Sequence, residues 1–221
     1  YGESWIQISN GFARFGCFAF AKDSIDNLYT GTASGVFKST DSGGNWEYIG
    51  AYGFIVSLAI NSKGFMFAGT DGFGLYLSTD GGSTWINKVI NLNLELYISS
   101  LIIDSNDIIY AGELGRGVFV STNNGDEWTQ LVDNLVIRSL VIDSNHDIYA
   151  GCEINGGIYK STDYGNNWSK IYNDHDVISL TISSNNNIFA GTASSGVFLS
   201  TDHGNNWIQT SLTTNYIHSL I

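Results

Sequence analysis

Two glutamates are the residues whose type and spacing come closest to hydrolytic chemistry. Glu113 and Glu153 are separated by one period of the chain's internal repeat, in what that repeat makes corresponding loops. Hydrolysis of a glycosidic bond needs two carboxyl groups about 5 to 10 Å apart, one acting as acid and the other as base or nucleophile. No surrounding motif marks either residue as catalytic. The pair therefore predicts a glycoside hydrolase only as an alternative to a binding protein.

The histidines and cysteines lack the spacing of a metal site. His146, His175, His203 and His218 stand apart, without His-x-x-x-His or Cys-x-x-Cys spacing. The Asp-rich stretches 104–107 and 143–147 are similar to half a calcium loop, but the same positions elsewhere carry ordinary turn residues. We therefore interpret these stretches as hairpin turns and predict no metal and no cofactor.

An eight-residue motif, Ser-Thr-Asp-x-Gly-x-x-Trp, organises the elements that would position any site. It occurs five times with little change. Its Asp can accept backbone hydrogen bonds, its Gly permits positive φ, and its Trp offers a large apolar surface. We predict that these are structural turns and not sites. Their acidic or amide residues and tryptophans are Asp41 and Trp46, Asp80 and Trp85, Asn123 and Trp128, Asp163 and Trp168, and Asp202 and Trp207.

The spacing of the tryptophans predicts the architecture. A sixth tryptophan, Trp5, precedes the five of the motif, and all six recur at nearly equal intervals. Intervals of about 40 residues are typical of propeller blades. Each period holds four short apolar segments with no helical periodicity, and a right-handed β-helix would need shorter periods. The sequence therefore predicts an all-β propeller of four-stranded antiparallel blades.

The sequence is compatible with either six blades or five. We predict a single domain over residues 1–221, with complete repeats at about 11–50, 51–92, 93–135, 136–174 and 175–214. Residues 1–10 and 215–221 would form a split sixth repeat, which makes six blades the preferred interpretation and five the alternative. The terminal strands are expected to pack in the sixth position, with self-association through their edges as one outcome.

The motif resembles the Asp box of bacterial neuraminidase-type (BNR) repeats, and its copies span nearly the whole chain. That family includes sialidases, xyloglucan-cleaving endoglucanases, sortilin-type receptors and photosystem assembly propellers, so the resemblance implies a fold and not an activity. A sialidase would need three converging arginines and a Phe-Arg-Ile-Pro signature. The chain has only Arg14, Arg116 and Arg138, and no proline, so we do not expect a sialidase.

The resemblance also implies where a ligand would bind. In Asp-box propellers the functional face is built from the loops between second and third strands and from the loops between blades, and here those loops vary most. Their aromatic residues suit sugars or apolar peptide side chains, and a second group is acidic. The candidate ligand-binding residues are Arg14, Tyr52, Phe54, Phe73, Tyr97, Glu113, Arg116, Glu153, Asp174 and His175.

Composition narrows the function classes. Nine basic and 21 acidic residues give a net charge of −12, which repels nucleic acid, and no stretch of about 18 apolar residues predicts membrane insertion. The absence of an initial Met and of a signal peptide leads us to expect a processed or excised piece. We predict a non-catalytic binding module of a secreted or cell-envelope protein that recognises a glycan or a peptide. A structural repeat array without a ligand is a third hypothesis.

Overall fold

The computed structural model describes residues 11, 16–88, 96–154, 156–214 and 216–220. Over these residues it contains 20 β-strands and no helix, in agreement with the predicted all-β class. No helix able to cross a membrane occurs in this described part. The chain divides into two compact units, Tyr1–Tyr97 and Ile98–Ile221.

Unit 1 holds two four-stranded antiparallel sheets, each a simple meander in chain order. The strands of the first blade are β1 (Cys17–Lys22), β2 (Leu28–Thr32), β3 (Gly35–Ser39) and β4 (Glu47–Gly50). Those of the second blade are β5 (Ile55–Ile60), β6 (Met66–Thr70), β7 (Leu75–Ser78) and β8 (Ile86–Lys88).

Unit 2 holds three further meander sheets. The third blade contains β9 (Ile98–Ile103), β10 (Ile109–Glu113), β11 (Gly117–Ser121) and β12 (Thr129–Val132). The fourth contains β13 (Val136–Ile142), β14 (Ile148–Glu153), β15 (Gly157–Ser161) and β16 (Ser169–Tyr172). The fifth contains β17 (Val177–Ile182), β18 (Ile188–Thr192), β19 (Val197–Ser200) and β20 (Ile208–Gln209).

The core of unit 2 lies between successive blades, because the second strand of each blade is buried on both faces. Small residues allow this close approach. Gly151 of β14 faces the first residue of the next blade, and a Cβ atom placed on it would lie 2.8 Å from Val177 Cγ1. The repeated Ala-Gly pair therefore lets one blade pack on the next without a gap.

The five sheets match the five-bladed alternative from the sequence. The preferred sixth blade depends on residues 1–10 and 215–221, and of these only 216–220 are described, without an assigned strand. A split sixth blade therefore stays a prediction. The fourth strand of each blade begins one residue after the Trp of the motif. The Trp itself completes the preceding turn.

Candidate functional site

The Asp-box turns are closed by hydrogen bonds within the motif. In the fourth copy, Asp163 Oδ1 accepts from Ser161 Oγ at 2.9 Å and from Asn167 N at 2.8 Å, and Oδ2 accepts from Asn167 Nδ2 at 2.6 Å. Ser161 Oγ in turn accepts from Gly165 N at 2.8 Å. Both carboxylate oxygens are thus engaged locally.

Two consecutive positive φ values shape the turn. Tyr164 has φ 59° and Gly165 has φ 89°, and the other four copies repeat the pattern. Gly165 also lies directly against Leu131 of the third blade, where a side chain on the glycine would overlap the Leu131 Cδ1 atom. The glycine is therefore required both by the backbone conformation and by the contact between blades.

Trp168 and Trp207 pack at contacts between blades. Trp168 lies against the buried cluster that includes Tyr110 and Ile137, and Trp207 against the cluster that includes Tyr149 and Val177. Their indole N–H groups donate to the carbonyl oxygens of Gly165 at 2.8 Å and Gly204 at 3.1 Å. Each indole thus fastens a turn to the core beside it.

In the third motif the side-chain amide and the carboxylate have exchanged positions. Asn123 Oδ1 accepts from Ser121 Oγ at 3.0 Å and from Glu127 N at 2.9 Å, as the Asp does elsewhere. Its Nδ2 then donates to Glu127 Oε2 at 3.5 Å, where Asn167 donates to Asp163 in the fourth copy. The Asn-Glu pair is an exchanged Asp-Asn pair, which explains why Asn123 is tolerated.

A second type of lock closes the loops at the other end of the strands. Thr70 Oγ1 donates to Gly74 O at 2.8 Å and accepts from Phe73 N at 2.9 Å, and Thr192 makes the equivalent bonds in the fifth blade. Glu113 occupies this position in the third blade, where its Oε2 accepts from Arg116 N at 2.9 Å. Its side chain is therefore a loop cap.

Glu113 and Glu153 belong to corresponding hairpins of adjacent blades but occupy different positions in them. Glu113 pairs with Gly117 across its hairpin, and the residue that pairs with the equivalent Gly157 is Cys152. Four residues separate Cys152 from Gly157, whereas three separate Glu113 from Gly117. Glu113 is only 4% exposed, and Glu153 accepts from Arg138 Nε at 2.6 Å in an ion pair. Both carboxylates therefore have partners within the protein.

In unit 1 the loops bring most of the predicted aromatic residues together. Asp71 connects these loops, because its N–H donates to Phe54 O at 3.0 Å and the residue forms a β-bridge with Tyr97. The Phe73 ring lies beside Gly53, and its carbonyl accepts from Asn87 Nδ2 at 3.0 Å.

Two of these rings are open to solvent. Tyr52 is 78% exposed and Phe73 62%, while the Phe54 ring lies tilted against Phe18 with ring centroids 4.3 Å apart. We call Phe18, Tyr52, Phe54 and Phe73 the aromatic loop surface. It offers apolar rings to solvent.

In unit 2 the loops of the fourth and fifth blades form an open depression of about 480 Å³, here called the loop pocket. It contains the predicted Asp174 and His175. The full lining is Gly156, Lys170, Asn173, Asp174, His175, Asp176 and Ser194.

The walls of the loop pocket are fixed by contacts between its loops. Asp176 O accepts from Ala193 N at 3.0 Å, and Ser195 Oγ lies 3.3 Å from His175 Nδ1. Gly156 abuts Asp176 so closely that no side chain would fit. Within the described residues the side chains of Asn173, Asp174 and Asp176 have no hydrogen bond or ion pair. The pocket therefore presents free acceptors to solvent.

Two groups near the pocket are kept neutral. Burial raises the pKa of Tyr172 above its usual value, and the charge of Asp174 adds to this effect. Burial likewise raises the pKa of Cys152 to about 12, although the Lys170 charge opposes the shift. Neither residue is ionised at neutral pH, so neither is prepared to act as a nucleophile.

Of the ten candidate residues, the structure brings Tyr52, Phe54, Phe73 and Tyr97 together in unit 1, and Asp174 and His175 together in unit 2. Glu113, Arg116 and Glu153 belong to the hairpin loops of the third and fourth blades, and Arg14 lies outside the described residues. Sequence reasoning missed Lys170. This side chain also lines the loop pocket.

A metal centre has no obvious ligand set in the part of the chain that the structure describes. These residues contain no group of three or more His, Cys, Asp or Glu side chains able to hold a metal ion. The turn at Asp143 shows what the Asp-rich stretches do instead. Its Oδ1 accepts from Asn145 N at 2.8 Å and Asp147 N at 3.0 Å, as in an ordinary hairpin turn.

Several solved structures share this fold. A Niastella koreensis GH74 enzyme matches with a TM-score of 0.74 and 22% identity over 90% of this chain and 38% of that one. YCF48 bound to D1 peptide matches at 0.70 and 14% over 95% and 73%. An extracellular domain from B. thetaiotaomicron matches at 0.59 and 15% over 97% and 37%. At these identities the likeness shows the fold alone, and the chain spans well under half the length of the first and the third.

Comparison of the sequence with known families identifies one family. No curated protein matches the chain. Residues 98–218 match the model of the DUF6242 beta propeller domain, which is more than half of the chain and covers the blades of unit 2. The five meander sheets and the Asp-box turns agree with that match. The chain belongs to the family of DUF6242 beta propeller domains.

Proposed function

We propose that this propeller is a non-catalytic binding module and that its aromatic loop surface recognises a carbohydrate. The observation that carries the proposal is the exposure of Tyr52 and Phe73, together with the hydrogen bonds to Thr70 and Asn87 that hold the Phe73 backbone. Aromatic rings in a fixed orientation stack on the apolar faces of sugar rings and lose little conformational freedom on binding.

The partners of the candidate acids support binding without hydrolysis. Glu113 is buried and caps its own loop, and Glu153 is paired with Arg138. A general acid needs a carboxyl group that reaches the glycosidic oxygen, and a base or nucleophile needs a free carboxylate. Neither glutamate is free in this way.

The proposed setting is a secreted or cell-envelope protein. One structural neighbour is described as an extracellular domain, and another is described as bound to a peptide. The acidic net charge of −12 fits a surface that does not engage nucleic acid. A peptide ligand is the main rival outcome of the binding test.

The test is a glycan array followed by binding titrations with the polysaccharides that score. Tyr52→Ala and Phe73→Ala should each weaken binding about fivefold to a hundredfold, since loss of one stacked ring removes on the order of 1 to 3 kcal/mol. Tyr164→Ala is the matched control, because Tyr164 is 52% exposed but sits in an Asp-box turn. Equal losses in all three variants would contradict a site on the aromatic loop surface, and so would binding to peptides alone.

Hydrolysis is tested separately on the same polysaccharides. We expect no release of reducing sugar from the parent chain. Release that disappears in Glu113→Gln or Glu153→Gln would overturn the non-catalytic assignment and establish the glycoside hydrolase alternative.

A further inference from the structure

Successive blades of unit 2 contact each other through a repeated pair of backbone and side-chain interactions. A β-branched residue at the start of each first strand covers the glycine of the preceding blade, as Ile137 covers Gly112 and Val177 covers Gly151. This contact seats the first strand of one blade on the second strand of the blade before it.

A serine then fixes the register of the seated strand. Ser100 Oγ accepts from Leu140 N at 2.9 Å, and Ser139 Oγ accepts from Leu180 N at 3.0 Å. Each bond runs from the first strand of one blade to the first strand of the next. The acceptor serine therefore precedes its partner leucine by one repeat in both cases.

The flank of the fifth blade carries the same features, and the segment 216–220 begins to occupy it. Ile217 covers Gly191, since a Cβ atom on the glycine would lie 2.6 Å from Ile217 Cγ2. Tyr216 N donates to Ala193 O at 3.2 Å and Ile217 N to Thr192 O at 3.0 Å. The start of the segment is thus docked as a first strand would be.

The serine contact is the one element that is incomplete. Ser179 is the counterpart of Ser139, its residue is 7% exposed, and its Oγ has no hydrogen-bond partner in the described part of the chain. A buried hydroxyl without a partner is costly, and natural proteins rarely keep one. The residue one repeat after Leu180 is Leu220, which occupies the donor's place in the sequence but does not donate to Ser179 Oγ in this structure.

We propose that the flank of the fifth blade is a strand-docking surface whose occupant is the chain's own Ile-His-Ser-Leu segment at 217–220, locked when Leu220 N donates to Ser179 Oγ. Unit 2 then contains three complete blades followed by one more segment in the position of a first strand. The occupant is recognised by two features, a β-branched residue over Gly191 and an N–H group aligned with Ser179. This proposal is independent of the ligand and of the aromatic loop surface.

The decisive experiment compares Ser179→Ala with Ser139→Ala in the full chain. An unpaired hydroxyl would make Ser179→Ala neutral or stabilising, whereas a bonded one would make it destabilising. We expect both variants to lower Tm by a similar amount, a few degrees each. A Tm that rises or stays constant in Ser179→Ala while it falls in Ser139→Ala would overturn the proposal.

Residue-resolved amide exchange provides the second measurement. Leu220 N–H should exchange at least about tenfold more slowly than in an unstructured peptide, and Ser179→Ala should remove that protection while Leu180 stays protected. Ile217→Asp should have the same effect, and Ile208→Asp, at an exposed position of β20, should not. Exchange of Leu220 at the peptide rate in the parent chain would refute the docking.

Protein concentration distinguishes the source of the strand. Protection of Leu220 that is unchanged across a hundredfold dilution supports docking within one chain. Protection that is lost on dilution would show that the strand docks on a second copy, which contradicts the assignment to the chain's own segment.

Discussion

The Asp-box turns and the loops at the opposite ends of the same strands use similar polar residues in different ways. In the turn at Asp163 both carboxylate oxygens are bound by the motif itself. In the loop pocket the carboxylates of Asp174 and Asp176 have no hydrogen-bond partner among the described residues. A satisfied carboxylate holds the backbone, whereas a free one remains available to a ligand. Changes in the turns should therefore affect stability, and changes in the loops should affect binding.

The largest effect is expected from Trp168→Ala. The indole packs on the core between the third and fourth blades and bonds to Gly165 O, so its loss should cost about 3 to 5 kcal/mol in free energy of unfolding. Chemical denaturation gives the value, with Tyr164→Ala as an exposed control in the same turn. An unfolding curve that matches the parent would show that the tryptophan is not structural.

Gly165→Ala should have the next largest effect. The substitution introduces a side chain at φ 89° and against Leu131, so we expect a loss of about 1 to 3 kcal/mol. Gly115→Ala is the matched control, because Gly115 has φ 108° but no atom near the position of the added Cβ. Equal losses in the two variants would mean that backbone strain alone, and not the contact between blades, requires the glycine.

Acid should weaken the turns through their aspartates. A hydrogen bond from the Asn206 side chain, followed by one from its backbone N–H, lowers the pKa of Asp202 to about 2. Similar bonds lower the pKa values of Asp41, Asp80 and Asp163. Because these values lie below those of the unfolded chain, the stabilisation is complete above about pH 4 and is lost as the pH falls towards 2.

Thermal unfolding followed from pH 5 to pH 2 measures this loss. Tm should fall over that range in the parent chain, and the fall should be smaller in Asp202→Asn, which has one carboxylate fewer in a turn. A Tm that is constant below pH 4 would contradict the role given to these carboxylates.

The exchanged pair of Asn123 and Glu127 in the third turn predicts a smaller effect on the free energy of unfolding. Asn123→Asp alone would place a carboxylate opposite Glu127 and should cost about 0.2 to 1 kcal/mol. Adding Glu127→Asn should restore the Asp-Asn arrangement of the fourth turn and recover the loss. If the two changes have independent, additive effects in a double-mutant cycle, the two side chains do not interact.

The smallest effect on stability is expected at the aromatic loop surface. Tyr52→Ala and Phe73→Ala remove exposed rings and should change the free energy of unfolding by no more than about 0.5 kcal/mol. Carbohydrate binding should be reduced in both. A loss of stability comparable to that of Gly165→Ala would place these rings in the core and remove the contrast between turns and loops.

Features that depend on neighbours close in the chain could be predicted from the sequence alone. The repeat period, the four strands in each repeat and the absence of helix in the described residues follow from the alternation of apolar residues. The closure of the Asp-box turns follows from hydrogen bonds between near neighbours. The Asn123 substitution also has a local explanation, because Glu127 stands within the same turn. Both partners of such an interaction lie in the same short segment of the sequence, so the segment itself reveals it.

Which polar groups are free could be seen only once the strands and loops were packed together. Glu113 is buried as a loop cap, Glu153 meets Arg138 from the neighbouring strand, and Lys170 joins Asp174 at the loop pocket. Ser179 Oγ has no hydrogen-bond partner among the described residues, and the N–H group proposed to bond to it belongs to Leu220, one repeat later in the chain. These relations join segments that are distant in sequence, so no local pattern reveals them.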